Sequence, residues 1–289
     1  MPDSQSTLTS TSPTANRVAI VTGASAGIGR VIGQRLASQN FTVVLAARSE
    51  EKLRSLRSEL QSKGQHCEYV VTDVSDPNDL ERLVTRTLEQ FGRIDVLVNN
   101  AGIDCFSEFA KVSTEQILQT IEINLTGTIL LTRLVLPHMQ QRQSGSIINM
   151  ASTAGKHGPA YGAVYAATKA GLVGFTQGLR GELKSTGVNV TAICPGFTRD
   201  GGIYDRIVAA TSKRTSPLMG STTADKVADA VLNAIKNGQP EIIVNWPPMR
   251  PIFALREMFP RLGEYLILAA SRRFLRRAAM MHANDQLKE

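Results

Sequence analysis

The sequence predicts an α/β fold, in which a parallel sheet carries helices on both faces, within a single domain at residues 17–245. From Arg17 onward, short runs rich in valine, isoleucine and leucine alternate with longer segments of helical character. Strands that are apolar throughout are typical of parallel sheets, because helices cover both of their faces. No repeat and no Gly/Ser-rich linker interrupts the alternation, which favours one domain over two.

Seven apolar runs are predicted as strands because of their valine, isoleucine and leucine content. They are residues 18–21, 42–46, 68–71, 94–98, 146–150, 188–193 and 241–244. Between them apolar residues recur at helical spacing, as Val31, Ile32 and Leu36 do in the first predicted helix. The later helices are predicted at residues 50–62, 77–91, 114–139, 160–184 and 224–236, with Pro77 in the first turn of its helix.

Cysteine usage and hydropathy limit the class of protein. The three cysteines, Cys67, Cys105 and Cys194, are widely separated and form neither a disulfide framework nor a metal cluster. We therefore expect no metal site and a cytoplasmic location. Residues 1–16 lack the basic and apolar parts of a secretory signal, so we expect a flexible tail. No run of about 18 uncharged apolar residues predicts a membrane span.

Three glycines, Gly23, Gly27 and Gly29, lie between the first predicted strand and the first predicted helix. Glycines at that point permit a tight turn and a close approach of the backbone to a pyrophosphate. The free amides of the first helical turn would then face the anion. The spacing G-x-x-x-G-x-G differs from the usual G-x-G-x-x-G, but its place between strand and helix predicts a dinucleotide site.

The end of the second strand indicates which nicotinamide dinucleotide is used. A carboxylate there binds the ribose hydroxyls of NAD, whereas an arginine accommodates the 2′-phosphate of NADP. This chain has Ala47 and then Arg48, with no carboxylate before Glu50. Arg48 therefore predicts NADP(H) over NAD(H), through charge-assisted bonds to the phosphate. The alternative is a surface arginine paired with Glu50 or Glu51.

Ser152, Tyr165 and Lys169 form the most informative pattern in the chain. Ser152 follows the predicted strand 146–150, at the sheet edge where parallel sheets bind ligands. If the segment after Ala160 is helical, Tyr165 and Lys169 lie one turn apart on the same face. We expect the ammonium to lower the pKa of the phenol from its usual value near ~10, which would make Tyr165 an acid–base group. The alternative is a tyrosine and a lysine on a solvated helix.

Together these motifs resemble the classical short-chain dehydrogenase/reductase family over residues 17–244. The resemblance implies a Rossmann-type, doubly wound sheet in the strand order 3-2-1-4-5-6-7, and reversible hydride transfer between nicotinamide and a carbonyl or alcohol carbon. It implies the catalytic residues Asn124, Ser152, Tyr165 and Lys169. The implied cofactor contacts are Gly23, Ser25, Ala26, Gly27, Ile28, Gly29, Arg48, Asp73, Val74, Asn100, Ala101, Gly102, Tyr165, Lys169, Pro195, Gly196 and Thr198. Many NADP-preferring relatives carry a basic residue where this chain has Ala26, so the NADP(H) prediction rests on Arg48.

Each implied catalytic residue is expected to have its own role. Tyr165 would donate a proton to the carbonyl oxygen during reduction and accept it in the reverse reaction. Ser152 would hydrogen-bond the substrate oxygen, and Lys169 would favour the phenolate and bind the nicotinamide ribose. Asn124 would hold a water that links Lys169 to solvent. The alternative for Asn124 is helix packing or capping.

We therefore predict an NADPH-dependent carbonyl reductase or secondary alcohol dehydrogenase that acts on a hydrophobic ketone or alcohol. A narrower alternative is a 3-oxoacyl thioester reductase, and an alternative of another class is a non-catalytic NADP(H)-sensing protein. The resemblance suggests a homodimer or homotetramer, with the predicted helices 114–139 and 160–184 as contact faces. Nucleic acid is not an expected partner, because the chain has no recognised binding module and few aromatic residues.

Substrate specificity is expected from residues 103–109, 153–164 and 198–220, which follow predicted strands at the ligand-binding edge. The last segment is predicted to be a partly mobile lid. Its apolar residues are Tyr204, Ile207, Val208, Leu218 and Met219. His157 is either a substrate contact or a solvated loop residue, and Cys105 either lines the pocket or is a small buried apolar residue.

Residues 246–289 form a basic, amphipathic helical extension beyond the resemblance. Its apolar residues recur at helical spacing, with breaks near Pro251 and Pro260. Between residues 250 and 277, seven arginines stand against two glutamates, a local excess of five within a formal net charge of +7.

Three interpretations of this extension remain open. It could pack on its own domain or on a sister subunit. Residues 250–277 could make a peripheral contact with an anionic membrane surface. An acidic protein partner, such as an acyl carrier protein, is the third interpretation.

Overall fold

The computed structural model describes residues 17–199, 204–205, 208–209 and 219–286. The predicted N-terminal tail, residues 1–16, lies outside the described residues, as do Ile207 and Leu218 of the predicted lid. The described strands are β1 (Val18–Thr22), β2 (Thr42–Ala47), β3 (Cys67–Val71), β4 (Val96–Asn99), β5 (Gly145–Met150), β6 (Val188–Pro195), β7 (Thr198–Arg199), β8 (Thr222–Thr223) and β9 (Glu241–Val244).

Seven of these strands form one parallel sheet in the order β3-β2-β1-β4-β5-β6-β9. β7 and β8 pair separately as a short two-stranded sheet, so β9 is the seventh strand of the main sheet. The predicted fold class and strand order are confirmed. All seven predicted strands are present, with ends that differ from the predictions by a few residues.

Helices cover both faces of the sheet. The helices are α1 (Gly27–Ser38), α2 (Glu50–Ser62), α3 (Pro77–Phe91), α4 (Thr114–Ile121), α5 (Gly127–Gln141), α6 (Ala163–Glu182), α7 (Ala224–Asn237), α8 (Arg250–Met258) and α9 (Pro260–Gln286). Apolar side chains of α1, α2 and α7 pack in one core cluster, and those of α3 and α5 pack in another with the end of α6. The central strands β1, β2 and β4 are therefore buried along their whole length, which explains their largely apolar sequences.

The predicted helix at residues 114–139 is instead two α-helices joined by a π-helical turn, Glu122–Thr126. Gly127 explains the local geometry, because a Cβ at that position would lie 2.2 Å from the carbonyl oxygen of Val74. The chain passes so close to the loop after β3 that only glycine fits. π-turns of this kind occur frequently at functional sites, and this one carries Asn124.

The predicted helix at residues 160–184 begins later, at Ala163. Tyr161 has a φ of 66°, which is incompatible with a right-handed helix, so the first residues after Pro159 form a turn. The shift leaves Tyr165 in the first turn of α6 and Lys169 one turn later.

The C-terminal extension folds back on the domain as α8 and α9. Pro251 lies in the first turn of α8 and Pro260 begins α9, so both prolines mark helix starts. The two helices pack closely, because a Cβ at Gly263 would lie 2.4 Å from the Cα of Arg256. Within the described ranges, every helix falls short of the length and apolar character that a bilayer crossing requires.

Candidate active site

A hydrogen-bonded clamp joins the loops that follow β1 and β4. The backbone N–H groups of Asn100 and Ala101 both donate to the hydroxyl oxygen of Thr22, each at 3.0 Å. The side-chain amide of Asn100 also donates to the carbonyl oxygen of Thr22 at 2.9 Å. These bonds fix the glycine-rich loop against the segment around Gly102, so both motifs lie at the carboxyl edge of the sheet.

The glycine-rich loop has the shape that a dinucleotide phosphate requires. A Cβ at Gly29 would lie 2.2 Å from the carbonyl oxygen of Gly23, and Gly23 itself has a φ of 66°. The N-cap of α1, Ala26, makes no side-chain capping bond, and the first turn of this helix carries no acidic residue. The first amides of α1 are therefore available to an anion, so the residues present fit a pyrophosphate.

One cavity of about 750 Å³ runs along this edge of the sheet. It is lined by every cofactor contact that the sequence predicts, from Gly23 to Thr198, and by Ser152 of the predicted catalytic residues. The structure thus brings together residues that follow six strands, β1 to β6, along one edge of the sheet. Asn124 is the one predicted site residue outside the described lining of this cavity.

Basic side chains surround one end of the cavity. Arg48, after β2, and Lys52, in the first turn of α2, both line it and both are exposed. Ser49 caps α2 without a side-chain capping bond, so its hydroxyl is available to a ligand. The alternative, an ion pair of Arg48 with Glu50 or Glu51, is not seen among these described residues, and Glu50 pairs instead with Arg54 at 2.8 Å.

Lys52 was missed by the sequence reasoning, although a signal was present. Lys52 lies in the first turn of the predicted helix 50–62, only four residues after Arg48 in the sequence. Asp73 lies on the same side of the site. Burial alone would raise the pKa of Asp73, but bonds from Ser75 and the charge of Arg48 outweigh that effect and lower it.

Ser152, Tyr165 and Lys169 meet at the other end of the cavity. Ser152 follows β5, its hydroxyl accepts a bond from the N–H of Ala154 at 3.1 Å, and it shares a hydrogen bond with the hydroxyl of Tyr165. The amine of Lys169 is buried and donates to the carbonyl oxygen of Met150 at 2.9 Å. The serine and the tyrosine can therefore contact one substrate oxygen, with the amine beneath them.

The expected lowering of the tyrosine pKa is wrong for this geometry. Tyr165 borders the cavity but is largely desolvated, and this raises the pKa of its phenol to about 12, against a smaller opposing effect of the bond with Ser152. The Lys169 amine lies 5.7 Å from the centre of the Tyr165 ring. Burial lowers the pKa of Lys169 to about 8. The sequence places the pair on one face, but it does not reveal the desolvation that dominates both groups.

Asn124 is fully buried in the π-helical turn and holds the neighbouring loop. Its side-chain oxygen accepts a bond from the N–H of Ile103 at 2.8 Å, and its amide donates to the carbonyl oxygen of Ile103 at 2.9 Å. The amide also lies 3.3 Å from the hydroxyl of Thr168. These contacts match the packing alternative for its side chain, and they position the segment that lines the cavity at Gly102 and Ile103.

Aromatic side chains surround the catalytic end of the cavity. The ring of Phe106 lies 5.7 Å from that of Tyr165, and the ring of Phe197 lies 5.5 Å from that of Tyr204. Phe106 and Tyr204 belong to the segments predicted to set specificity. Leu275, from α9, also lines the cavity, and the sequence carried no signal for it beyond the apolar spacing of the extension.

His157 and Cys105 are two residues for which the sequence left two interpretations open. His157 lines the cavity but is buried against Phe253 of α8, so the expectation of a solvated histidine is wrong. Burial, and then the charge of Arg256, lower the pKa of His157 to about 4, so its imidazole is neutral at neutral pH. Cys105 is buried, and burial raises the pKa of its thiol. The described part of the chain contains no cluster of three or more potential metal ligands.

Comparisons with known proteins agree with this geometry. The family model described as short chain dehydrogenase matches residues 17–207. The ketoacyl reductase HetN of Nostoc sp. is 40% identical over 234 residues, which cover 81% of this chain and 80% of that protein. A variant of actinorhodin polyketide ketoreductase, solved with NADPH, has a TM-score of 0.75 at 34% identity, covering 80% of this chain and 96% of that chain. A metagenomic short-chain oxidoreductase in complex with NADP has a TM-score of 0.67 at 35% identity, and the match covers 79% of this chain and 96% of that chain.

The fold and the site define the class of protein as an NAD(P)-dependent dehydrogenase or reductase. A parallel sheet carries, at its carboxyl edge, a cavity that the glycine-rich loop after β1 lines, which is where such sheets bind dinucleotides. Within that class, the chain belongs to the short-chain dehydrogenase family, whose model matches well over half of its length. The resemblance inferred from the motifs is therefore confirmed.

Proposed function

We propose that this protein is an NADPH-dependent carbonyl reductase, which reduces a hydrophobic ketone to a secondary alcohol. The observation that supports this most strongly is the arrangement of the cavity. Ser152, Tyr165 and Lys169 lie at one end of it, and Arg48 and Lys52 lie at the other. The same residues would catalyse alcohol oxidation, and the direction in a cell depends on the ratio of the two cofactor forms.

The choice of NADP(H) rests on the charge at the end of β2. Arg48 and Lys52 offer two cations, and Ser49 offers a hydroxyl, to a 2′-phosphate on the adenosine ribose. The two similar structures described above contain NADPH and NADP, which supports the same cofactor here. The amides at the start of α1 would hold the pyrophosphate.

The proposed roles follow from the contacts of each side chain. NADPH, when bound, supplies the hydride. The raised pKa of Tyr165 keeps its phenol protonated at neutral pH, so it can donate that proton to the carbonyl oxygen of the ketone. Ser152 donates a hydrogen bond to the same oxygen, which stabilises the negative charge that develops there. Lys169 stabilises the phenolate left on Tyr165 and binds the ribose beside the nicotinamide.

Asn124 has a proposed role in resupplying the proton. A Cβ at Gly102 would lie 3.1 Å from the side-chain oxygen of Asn124 and 3.4 Å from the amine of Lys169, so the two groups flank the same glycine. A water held in the π-helical turn beside Asn124 would link Lys169 to solvent, which is the role that the resemblance of the motifs to the family implies. The side chain of Asn124 is already bonded to Ile103, so its main contribution is to fix that turn.

A 3-oxoacyl thioester is the second candidate substrate. The relatives include a ketoacyl reductase and a polyketide ketoreductase, and the catalytic end of this cavity is lined by apolar and aromatic side chains. The test is a panel of hydrophobic ketones and 3-oxoacyl thioesters, with NADPH consumption as the readout. A protein that binds NADPH but reduces none of them would instead support the rival proposal, a non-catalytic NADP(H) sensor.

Two partner surfaces belong to the same proposal. Leu118 and Ile121 are exposed apolar residues on α4, and they would join α6 as the contact face of a homodimer or homotetramer. Residues 246–289 form a separate extension of the domain at residues 17–245. Its region 250–277 carries exposed apolar side chains beside arginines, which would suit a peripheral contact of a cytoplasmic protein with an anionic membrane.

A further inference from the structure

Helix α9 has two unlike faces. Its buried face consists of residues three or four positions apart, which is the spacing of one side of a helix. These residues are Gly263, Ile267, Ser271, Phe274, Leu275 and Ala279. The opposite face begins with the exposed Leu262 and Tyr265 and continues with the exposed Arg272 and Arg276.

The buried face of α9 reaches the catalytic end of the cavity. The ring of Phe274 lies 5.5 Å from that of Phe197, edge to face, and 5.9 Å from that of Tyr204. Phe274 and Leu275 share one apolar cluster with Phe106, and Tyr165 packs against that cluster. The extension is therefore part of the wall around the proposed acid–base residue.

We propose that Leu275 closes the substrate end of the cavity and so sets the length of apolar chain that a substrate can carry beside its carbonyl group. The proposal rests on the reductase function proposed above. Leu275 lines the cavity, yet none of its surface is exposed to solvent. It therefore forms a closed wall, and shortening its side chain would deepen the cavity.

Leu275 belongs to the C-terminal extension and not to the segment that carries the motifs. Leu275 follows Tyr165 by 110 residues and lies outside residues 17–207, which the family model matches. The wall is also firmly held. Ser271, one turn before Leu275, is buried and donates a bond to the carbonyl oxygen of Ile267 at 2.8 Å, and Phe274 packs against the rings of Phe197 and Tyr204.

The experiment measures kcat/KM for a homologous series of 3-oxoacyl N-acetylcysteamine thioesters and 2-alkanones that differ by two carbons at a time. In the wild-type protein, each added CH₂ that is buried should raise kcat/KM roughly fourfold until the chain meets Leu275, after which kcat/KM should fall. Leu275→Ala should move this maximum to substrates about two carbons longer, and Leu275→Phe should move it to shorter ones.

Leu262→Ala is the matched control, because Leu262 lies on the exposed face of the same helix and should leave the maximum in place. NADPH affinity, measured by fluorescence titration, shows that each variant is folded. Leu275→Val, which shortens the side chain by one carbon, should move the maximum in the same direction if Leu275→Ala does not fold. An unchanged maximum in folded Leu275 variants overturns the proposal. If the wild-type protein binds NADPH but reduces no member of either series, the proposed function itself fails.

Discussion

The amine of Lys169 lies 5.7 Å from the centre of the Tyr165 ring and donates its hydrogen bond to the carbonyl oxygen of Met150. The amine is thus anchored to the end of β5, beside the tyrosine. Burial shifts the pKa values of the two groups apart, raising that of the phenol to about 12 and lowering that of the ammonium to about 8. At neutral pH the phenol is protonated and the amine is mostly charged, which is the state that the proposed ketone reduction requires.

Replacing Tyr165 with phenylalanine tests the proton donor. The variant retains the ring that packs against Phe106 but lacks the hydroxyl. We expect NADPH affinity to be unchanged and kcat for ketone reduction to fall by about 10²–10⁴-fold, the usual contribution of a positioned general acid. Fluorescence titration measures the affinity, and NADPH consumption measures the turnover. A variant with near-normal turnover would show that another group donates the proton.

The pH dependence of reduction tests the charge on Lys169. Its pKa in the folded protein is about 8, below the ordinary value of 10.5, so the amine is charged below pH 8 and neutral above it. We expect kcat/KM for ketone reduction to be level near neutral pH and to fall about tenfold per unit above pH 8. No inflection is expected between pH 5 and 7, because His157 has a pKa of about 4. A profile that rises through pH 8 would contradict this role for the charged amine.

The cations at the other end of the cavity give a test of the proposed preference for NADPH over NADH. We expect Arg48→Ala and Lys52→Ala each to lower the NADPH-to-NADH ratio of kcat/KM, by about tenfold or more for Arg48, because each removes a charge-assisted bond to the 2′-phosphate. Arg54→Ala is the matched control, since Arg54 lies on the same helix but pairs with Glu50. An unchanged ratio in Arg48→Ala would remove the basis for the cofactor assignment.

The sequence predicts much of this architecture because local patterns determine most of it. Apolar runs such as the one in β2 identify strands, and the glycines after β1 identify the phosphate loop. Features that depend on distant contacts could not be predicted. The π-helical turn results from the approach of Gly127 to Val74, and Leu275 reaches the cavity only because the extension folds back. The phenol pKa depends on desolvation, which the spacing of residues does not reveal.

The exposed apolar side chains of α4 give a test of assembly. Leu118 is 53% exposed and Ile121 is 36% exposed, in a helix that also packs against α6. We expect Leu118→Glu to shift the protein from an oligomer toward a monomer, because a carboxylate buried in an apolar contact is strongly unfavourable. Size-exclusion chromatography with light scattering measures the mass. Leu262→Glu, in the extension, should leave the mass unchanged, and an unchanged mass in Leu118→Glu would place the contact face elsewhere.

The outer face of the extension gives a test of membrane contact. Met258, Phe259, Leu262 and Tyr265 are exposed around the junction of α8 and α9, and exposed arginines follow along α9. We expect the protein to float with vesicles that contain an anionic phospholipid but not with neutral vesicles, and to be released by salt. The double variant Leu262→Ser, Tyr265→Ser should reduce flotation strongly, because these side chains would insert between lipid headgroups.

These point variants are preferable to deletion of residues 250–289, which would also remove Leu275 from the cavity wall. Phe109→Ser, which changes an exposed aromatic residue outside the extension, is the control and should float like the wild-type protein. Absence of flotation of the wild-type protein at low salt would remove the membrane interpretation and leave packing on its own domain or a sister subunit, or contact with an acidic protein partner.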